Sequence, residues 1–192
     1  VKGALDAHGL GAGASRLISG TSPAHLEAER ALASLAGQPA APLFSSGYAA
    51  NVGALSTLLG KEDVAFSDRL NHASLIDGLR LSRARVHVHR HNDVEHLESL
   101  LRAHRADGRR AWVVTDSVFS MDGDLAPLRE LRAVADRWDA GLFVDEAHAL
   151  GILGGGRGLC HARGVTPDAL VGTLGKSAGV AGAFVAGPAE LR

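Results

Sequence analysis

Only one cysteine, Cys160, occurs in the chain, so no disulfide framework can form within it, which fits a reducing cytosol. Its plain reading is a small buried or half-buried residue, not a nucleophile. The opening VKGALDAHGL lacks the charged-then-apolar layout of a signal peptide. Long apolar runs are also missing. The most apolar glycine-rich stretch, 178–187, is too short to span a bilayer and reads as a turn followed by a buried strand. Charge of one sign is missing as well. With a net charge of −1, no whole-molecule field draws the chain to nucleic acid or to an anionic membrane. Arginine is plentiful, but aromatics are 4% of the chain and none interleave with a dense basic block. The expectation is a cytoplasmic protein with neither nucleic acid nor membrane as partner.

What is present is a globular composition. Hydrophobic residues make up 46% and charged residues 21% of 192, enough for one domain with a sizeable core. Residues 9–20 (GLGAGASRLISG) read as a loop. Thr21-Ser22-Pro23 starts a helix that Gly37 stops. Further helices are expected over 49–59, 72–81 and 94–104, with Asn92 capping the last, and one starting near Pro127 within 125–138. Strands are expected over 41–44, 64–67, 85–89, 111–115, 141–144, 170–174 and 183–186. Strands alternating with helices predict an α/β fold with a mainly parallel sheet flanked by helices.

In such sheets ligands sit beyond the carboxyl ends of the strands. The polar residues just after the strands are therefore the candidates, among them Gly47, Tyr48, Asp68, Asn71, His72, Asp116, Ser117, Ser120, Asp145, His148, Thr173 and Lys176. Lysine is scarce: Lys2 is terminal, Lys61 sits in a polar turn, and Lys176 follows an apolar strand among small residues. Desolvation there would lower its pKa and free an amine, although a surface loop lysine reads equally well. Asp145 ends a buried strand and needs a partner, either a protonated pyridine nitrogen or an ordinary cap or salt bridge. His72 can stack on an aromatic cofactor or simply cap a helix. Gly47 and Tyr48 open a helix whose free N–H groups suit a phosphate. His87, His89 and His91 read as a strand and its exit, with no metal-ligand arrangement among nearby residues.

Four segments in order, NHASLIDG, TDSVFSMDGDLAPL, VDEAHALG and TLGKSAG, resemble the α-oxoamine synthases, a group of fold-type-I pyridoxal-phosphate enzymes. The resemblance starts at GAGASRLISG and covers nearly the whole chain. It implies that residues 1–192 are the large, cofactor-binding domain, without the family's N-terminal segment and C-terminal small domain. The implied cofactor is pyridoxal 5′-phosphate. Lys176 would hold it covalently and later move protons at the substrate Cα. Asp145 would face the pyridine nitrogen, and His72 would stack on the ring. His148 and Ser120 would lie near the ring hydroxyl, while Thr173 and the Gly47–Tyr48 backbone would contact phosphate. Asp116 stands where many relatives carry glutamate. The implied reaction joins an amino acid to an acyl thioester of CoA or acyl carrier protein with loss of carbon dioxide, in a homodimer.

Within the family, RLNHASLIDGLRLSR and GGRGLCHARGVTPDALVGTLGK are most similar to members that use L-alanine and a pimeloyl thioester in biotin synthesis. Members that use glycine and acetyl-CoA come second. A reading of another class is a pyridoxal-phosphate-binding fragment or partner subunit without turnover. A generic nucleotide-binding domain is disfavoured, because GLGAGA does not follow a clear strand.

Overall fold

The apolar runs pair into one seven-stranded sheet: β1 Leu43–Phe44, β2 Val64–Asp68, β3 Arg85–His89, β4 Ala111–Asp116, β5 Gly141–Asp145, β6 Ala169–Thr173 and β7 Ala183–Ala186. A computed structural model describes residues 2–191; Val1 and Arg192, the two ends of the expected domain, lie outside the described residues. Spatial order is β1-β7-β6-β5-β4-β2-β3. The pairs from β3 through β2, β4 and β5 to β6 are parallel, and only β7 and β1 add antiparallel pairings. The mainly parallel sheet expected from the alternation is what forms.

Both faces of the sheet are covered, which is why its strands read as near-continuous apolar runs. Side chains alternate between two cores. Val64, Phe66, Val113, Leu142 and Val144 pack with Leu97, Leu101, Leu128 and Leu131. Those leucines come from α5 (Val94–His104) and α6 (Leu128–Arg137). Ala65, Val114, Phe143 and Val171 pack with Leu55, Leu75 and Leu79. These belong to α3 (Gly47–Leu58) and α4 (Ala73–Ser82). The two helices cross closely at Gly78, where a Cβ would lie 2.9 Å from the Asn51 carbonyl oxygen.

The α2 helix (Pro23–Ala36) starts at a Ser22 cap closed by His25 and ends at Gly37 in the left-handed region, as the sequence suggested. The cap of α5 differs from expectation. Asp93, not Asn92, accepts from the His96 N–H at 2.8 Å. Asn92 instead takes φ +52° and donates to Asp124 and Leu125. Two adjacent residues can each cap, and the helix's placement against β2 selects between them.

Residues 9–20 are not wholly irregular, since Arg16–Gly20 winds into a π-type turn. Two short helices had no apolar period to show them. The α1 helix (Lys2–His8) buries no residue. The α7 helix (Leu159–Arg163) is held by the buried Glu146 carboxylate, which accepts from the Leu159 and Cys160 N–H groups at 2.8 and 2.6 Å. Gly158, at φ +96°, is required there: a Cβ would stand 2.4 Å from Glu146 Oε2. Among the described residues no helix is long and apolar enough to cross a membrane.

Candidate functional site

The parallel strands β4, β5 and β6 end side by side at Asp116, Asp145 and Thr173. Beyond them lies a cleft of about 190 Å³, with the N-terminus of α3 and the loop before α4 on its rim. Of the twelve strand-end candidates, the nine that the resemblance places around the cofactor line it, joined by Asn51, Ser74 and Ala147. The convergence follows from the topology, because each of these strands delivers its C-terminal residue to the same edge.

Asp145 is the best-anchored group. It is 4% exposed. Its Oδ1 accepts from the Ala147 N–H at 2.7 Å and its Oδ2 from Asn51 Nδ2 at 2.6 Å. Asn51 Nδ2 also donates to Ser74 Oγ at 2.9 Å. Ser74 Oγ lies 2.7 Å from His72 Nδ1, and the Ser74 N–H donates to that nitrogen at 3.3 Å. A backbone N–H can only donate, so His72 carries its proton on Nε2. His72 caps α4 and also forms part of the cleft wall.

In-register pairing of β4 with β5 sets Asp116 beside Asp145. Burial first, and then the neighbouring Asp145 charge, push the Asp116 carboxyl up to about 8. The His72 backbone N–H, donating to Asp116 Oδ2 at 2.7 Å, opposes that shift. Near neutrality Asp116 therefore holds a proton while its neighbour is tied to two donors.

Of the two readings open to Lys176, the structure shows the surface loop lysine. It is exposed rather than desolvated. Its Nζ lies 2.7 Å from His148 Nε2. Burial and the Lys176 charge lower the His148 pKa, so the imidazole is neutral and accepts from the ammonium. Ser120 lies exposed on the loop after β4.

On the opposite rim, Ser46 Oγ caps α3 by accepting from the Ala49 N–H at 3.2 Å. Gly47 brings that helix start against Thr173, with 3.5 Å between its Cβ position and Thr173 Cβ. Tyr48 Oη donates to Asp77 Oδ2 at 2.9 Å, and that bond raises the phenol's pKa.

Asn51, Ser74 and Ala147 escaped the sequence reading. Asn51 sits a turn inside a helix, and no spacing rule brings it to Asp145. Two strand-end candidates prove to be staples outside the cleft lining. Asn71 donates to the Val114 carbonyl at 2.8 Å and accepts from the Asp116 N–H at 3.0 Å. Asp68 accepts from the Leu70 and Asn92 N–H groups, each at 2.8 Å.

A seven-stranded sheet with this cleft at its carboxyl edge fits one class of protein closely. The family described as aminotransferase class I and II matches residues 1–192, and the chain belongs to it. Within that class the similar proteins are α-oxoamine synthases, as the four motifs suggested. The chain is 54% identical over 191 residues to 8-amino-7-oxononanoate synthase of Anaeromyxobacter sp. (strain Fw109-5), covering 98% of this chain and 48% of that protein. It is 51% identical to the same-named protein of Acidithiobacillus ferrooxidans (strain ATCC 53993 / BNL-5-31), covering 95% and 48%. Among solved structures, serine palmitoyltransferase from S. paucimobilis with a bound PLP–myriocin aldimine superposes with a TM-score of 0.91. Its identity is 41% over 97% of this chain and 49% of that one. The 8-amino-7-oxononanoate synthase of Francisella tularensis gives 0.81 at 30% identity, over 99% and 53%. The chain thus spans about half the length of the curated relatives it matches.

Proposed function

We propose that this chain is the cofactor-binding large domain of a pyridoxal-phosphate-dependent acyltransferase. The supporting observation is that one cleft gathers a lysine amine, an anchored carboxylate, a neutral imidazole and an open helix N-terminus. Each part of pyridoxal phosphate has a matching group there. Lys176 would bond to its aldehyde carbon, and Asp145 would accept from its ring N–H. The N–H groups of Gly47 and Tyr48, with the Thr173 hydroxyl, would hold its phosphate. His72 would lie on the ring face, and His148 and Ser120 would stand near the ring hydroxyl. When bound, the cofactor supplies an electron sink for the negative charge left at a substrate Cα.

The remaining chemistry belongs to the chain's own groups. Asn51 and the Ala147 N–H keep the Asp145 carboxylate aimed at the cleft, so no reorganisation is needed when a cation meets it. Lys176 is the group for removing and returning the Cα proton, and His148 beside it accepts a hydrogen bond from it and so fixes its position. Protonated Asp116 adds no second anion next to Asp145.

The relatives' names favour L-alanine and a pimeloyl thioester, of CoA or acyl carrier protein, giving 8-amino-7-oxononanoate in biotin synthesis. In balance, the amino-acid Cα bonds to the acyl carbon, and the thiol and carbon dioxide leave. Glycine with acetyl-CoA is the alternative substrate pair. A homodimer in the cytoplasm is part of the same reading. Exposed Met121 and Val180 lie close in sequence to Ser120 and Lys176 and offer apolar surface to a second copy. The exposure of Lys176, Ser120, Tyr48 and His72 also supports a second reading, a cofactor-binding fragment or partner subunit without turnover.

Absorption titration with pyridoxal phosphate tests the first step. A saturable visible band is expected in the wild type and none in Lys176→Ala; the same band in the variant would sink the assignment. Thiol release is then assayed with L-alanine plus a pimeloyl thioester against glycine plus acetyl-CoA. Binding without release for either pair would favour the second reading.

A further inference from the structure

At the far edge of the sheet, remote from the cleft lining, three metal-ligating side chains from three elements meet. His87 lies in the edge strand β3, His104 ends α5, and Asp107 belongs to the 3-10 turn Arg105–Asp107 that follows. One ligand atom from each lies within 4.8 Å of the others. None of the three lines the cleft. We infer that His87, His104 and Asp107 bind a single borderline divalent cation, with Zn2+ as the representative.

Independent features support this. The His87 Nε2 is buried and has no hydrogen-bond partner, an unfavourable state that a Lewis acid relieves. Stacking brings the two imidazoles to one place: Phe66 lies against His87 with centroids 5.5 Å apart, and His104 stacks on it at 4.0 Å and 14°. Asp107 Oδ2 lies 2.9 Å from His104 Nδ1, so the carboxylate is already aligned with the second imidazole. The cluster also sits at the C-terminus of α5, where the free carbonyls favour a cation.

Two imidazoles and a carboxylate select Zn2+, Co2+ or Ni2+ over Mg2+ or Ca2+, which prefer oxygen. Tetrahedral coordination at about 2.1 Å places ligand atoms about 3.4 Å apart. The two rings therefore tilt out of their stack by side-chain rotation, and water takes the fourth position. Arg85 Nη1, 3.9 Å from Asp107 Oδ2, is the one cation in contact with the carboxylate among the described residues and is displaced. The bound ion would tie the edge strand to the end of α5. His87 precedes His104 by 17 residues, so the local spacing of His87, His89 and His91 does not reveal this cluster.

Isothermal titration of the cofactor-loaded protein with ZnCl2 is the test, with His87→Gln and Asp107→Asn checked for wild-type circular dichroism. One ion per chain is expected in the wild type, at least about tenfold weaker binding in each variant, and no displacement by excess Mg2+. Absence of saturable binding in the wild type, unchanged affinity in both variants, or displacement by Mg2+ would overturn the site. Asp107 is partly exposed, so its variant tests the site even where His87→Gln fails to fold.

Discussion

A carboxylate at the end of a parallel strand is unremarkable until its neighbour in the next strand is another carboxylate. Asp116 and Asp145 are such a pair, and the pKa of Asp116 near 8 follows from burial and from that neighbour. The folded value is raised. Between an ordinary carboxylate pKa of about 4 and a pH of about 8, the folded chain therefore keeps a proton that the unfolded chain has released. Stability of the cofactor-free protein is expected to fall as pH rises through that window and to level off above it. Urea unfolding from pH 5 to 8.5 measures this, and Asp116→Asn should flatten the slope. An unchanged slope in the variant would show that Asp116 does not hold the proton.

At the scale of elements, the loop between β4 and α6 carries Ser120 and is fastened by His91. The ring bridges buried Asp68 at 2.9 Å and Asp124 at 2.5 Å, and Asn92 adds a bond to Asp124. It also meets Phe119 edge-on, with centroids 4.4 Å apart. Burial alone would lower the His91 pKa, but hydrogen bonds to Asp68 and Asp124 raise it above the usual imidazole value. The stabilisation is then fully present below about pH 6.5 and lost as pH rises through the folded-state value. His91→Gln should cost about 1–3 kcal/mol at pH 6 and clearly less at pH 9. Comparing unfolding free energies of the two proteins at both pH values checks it; a cost independent of pH would mean that charge on His91 plays no part.

For the whole molecule, the cleft exists only when three adjacent strands end together and two helices meet their edge. A ligand held there by Gly47, Asp145, Thr173 and Lys176 binds the folded chain and not the unfolded one. Pyridoxal phosphate at 100 times its dissociation constant should therefore raise the unfolding free energy by about 2.7 kcal/mol. Thermal melts with and without the cofactor measure the gain, and Lys176→Ala should lose most of it. Equal shifts in both proteins would mean that the ligand is held elsewhere.

The sequence by itself determined the alternation of strands and helices, because buried parallel strands need uninterrupted apolar runs and helices between them need caps and glycine stops. Ser22, Gly37 and the β5 run ending at Asp145 are legible for that reason. It also placed nine residues of the cleft at strand and helix ends, where topology sends them to one edge. Tertiary structure alone decided which neighbours they meet. Strand register put Asp116 against Asp145, the crossing of α3 over α4 at Gly78 carried Asn51 to Asp145, and the open rim left Lys176 exposed beside His148. It likewise chose Asp93 over Asn92 as a cap and brought His87 to His104. Each of these depends on distances between residues far apart in the chain, which local patterns of polarity do not encode.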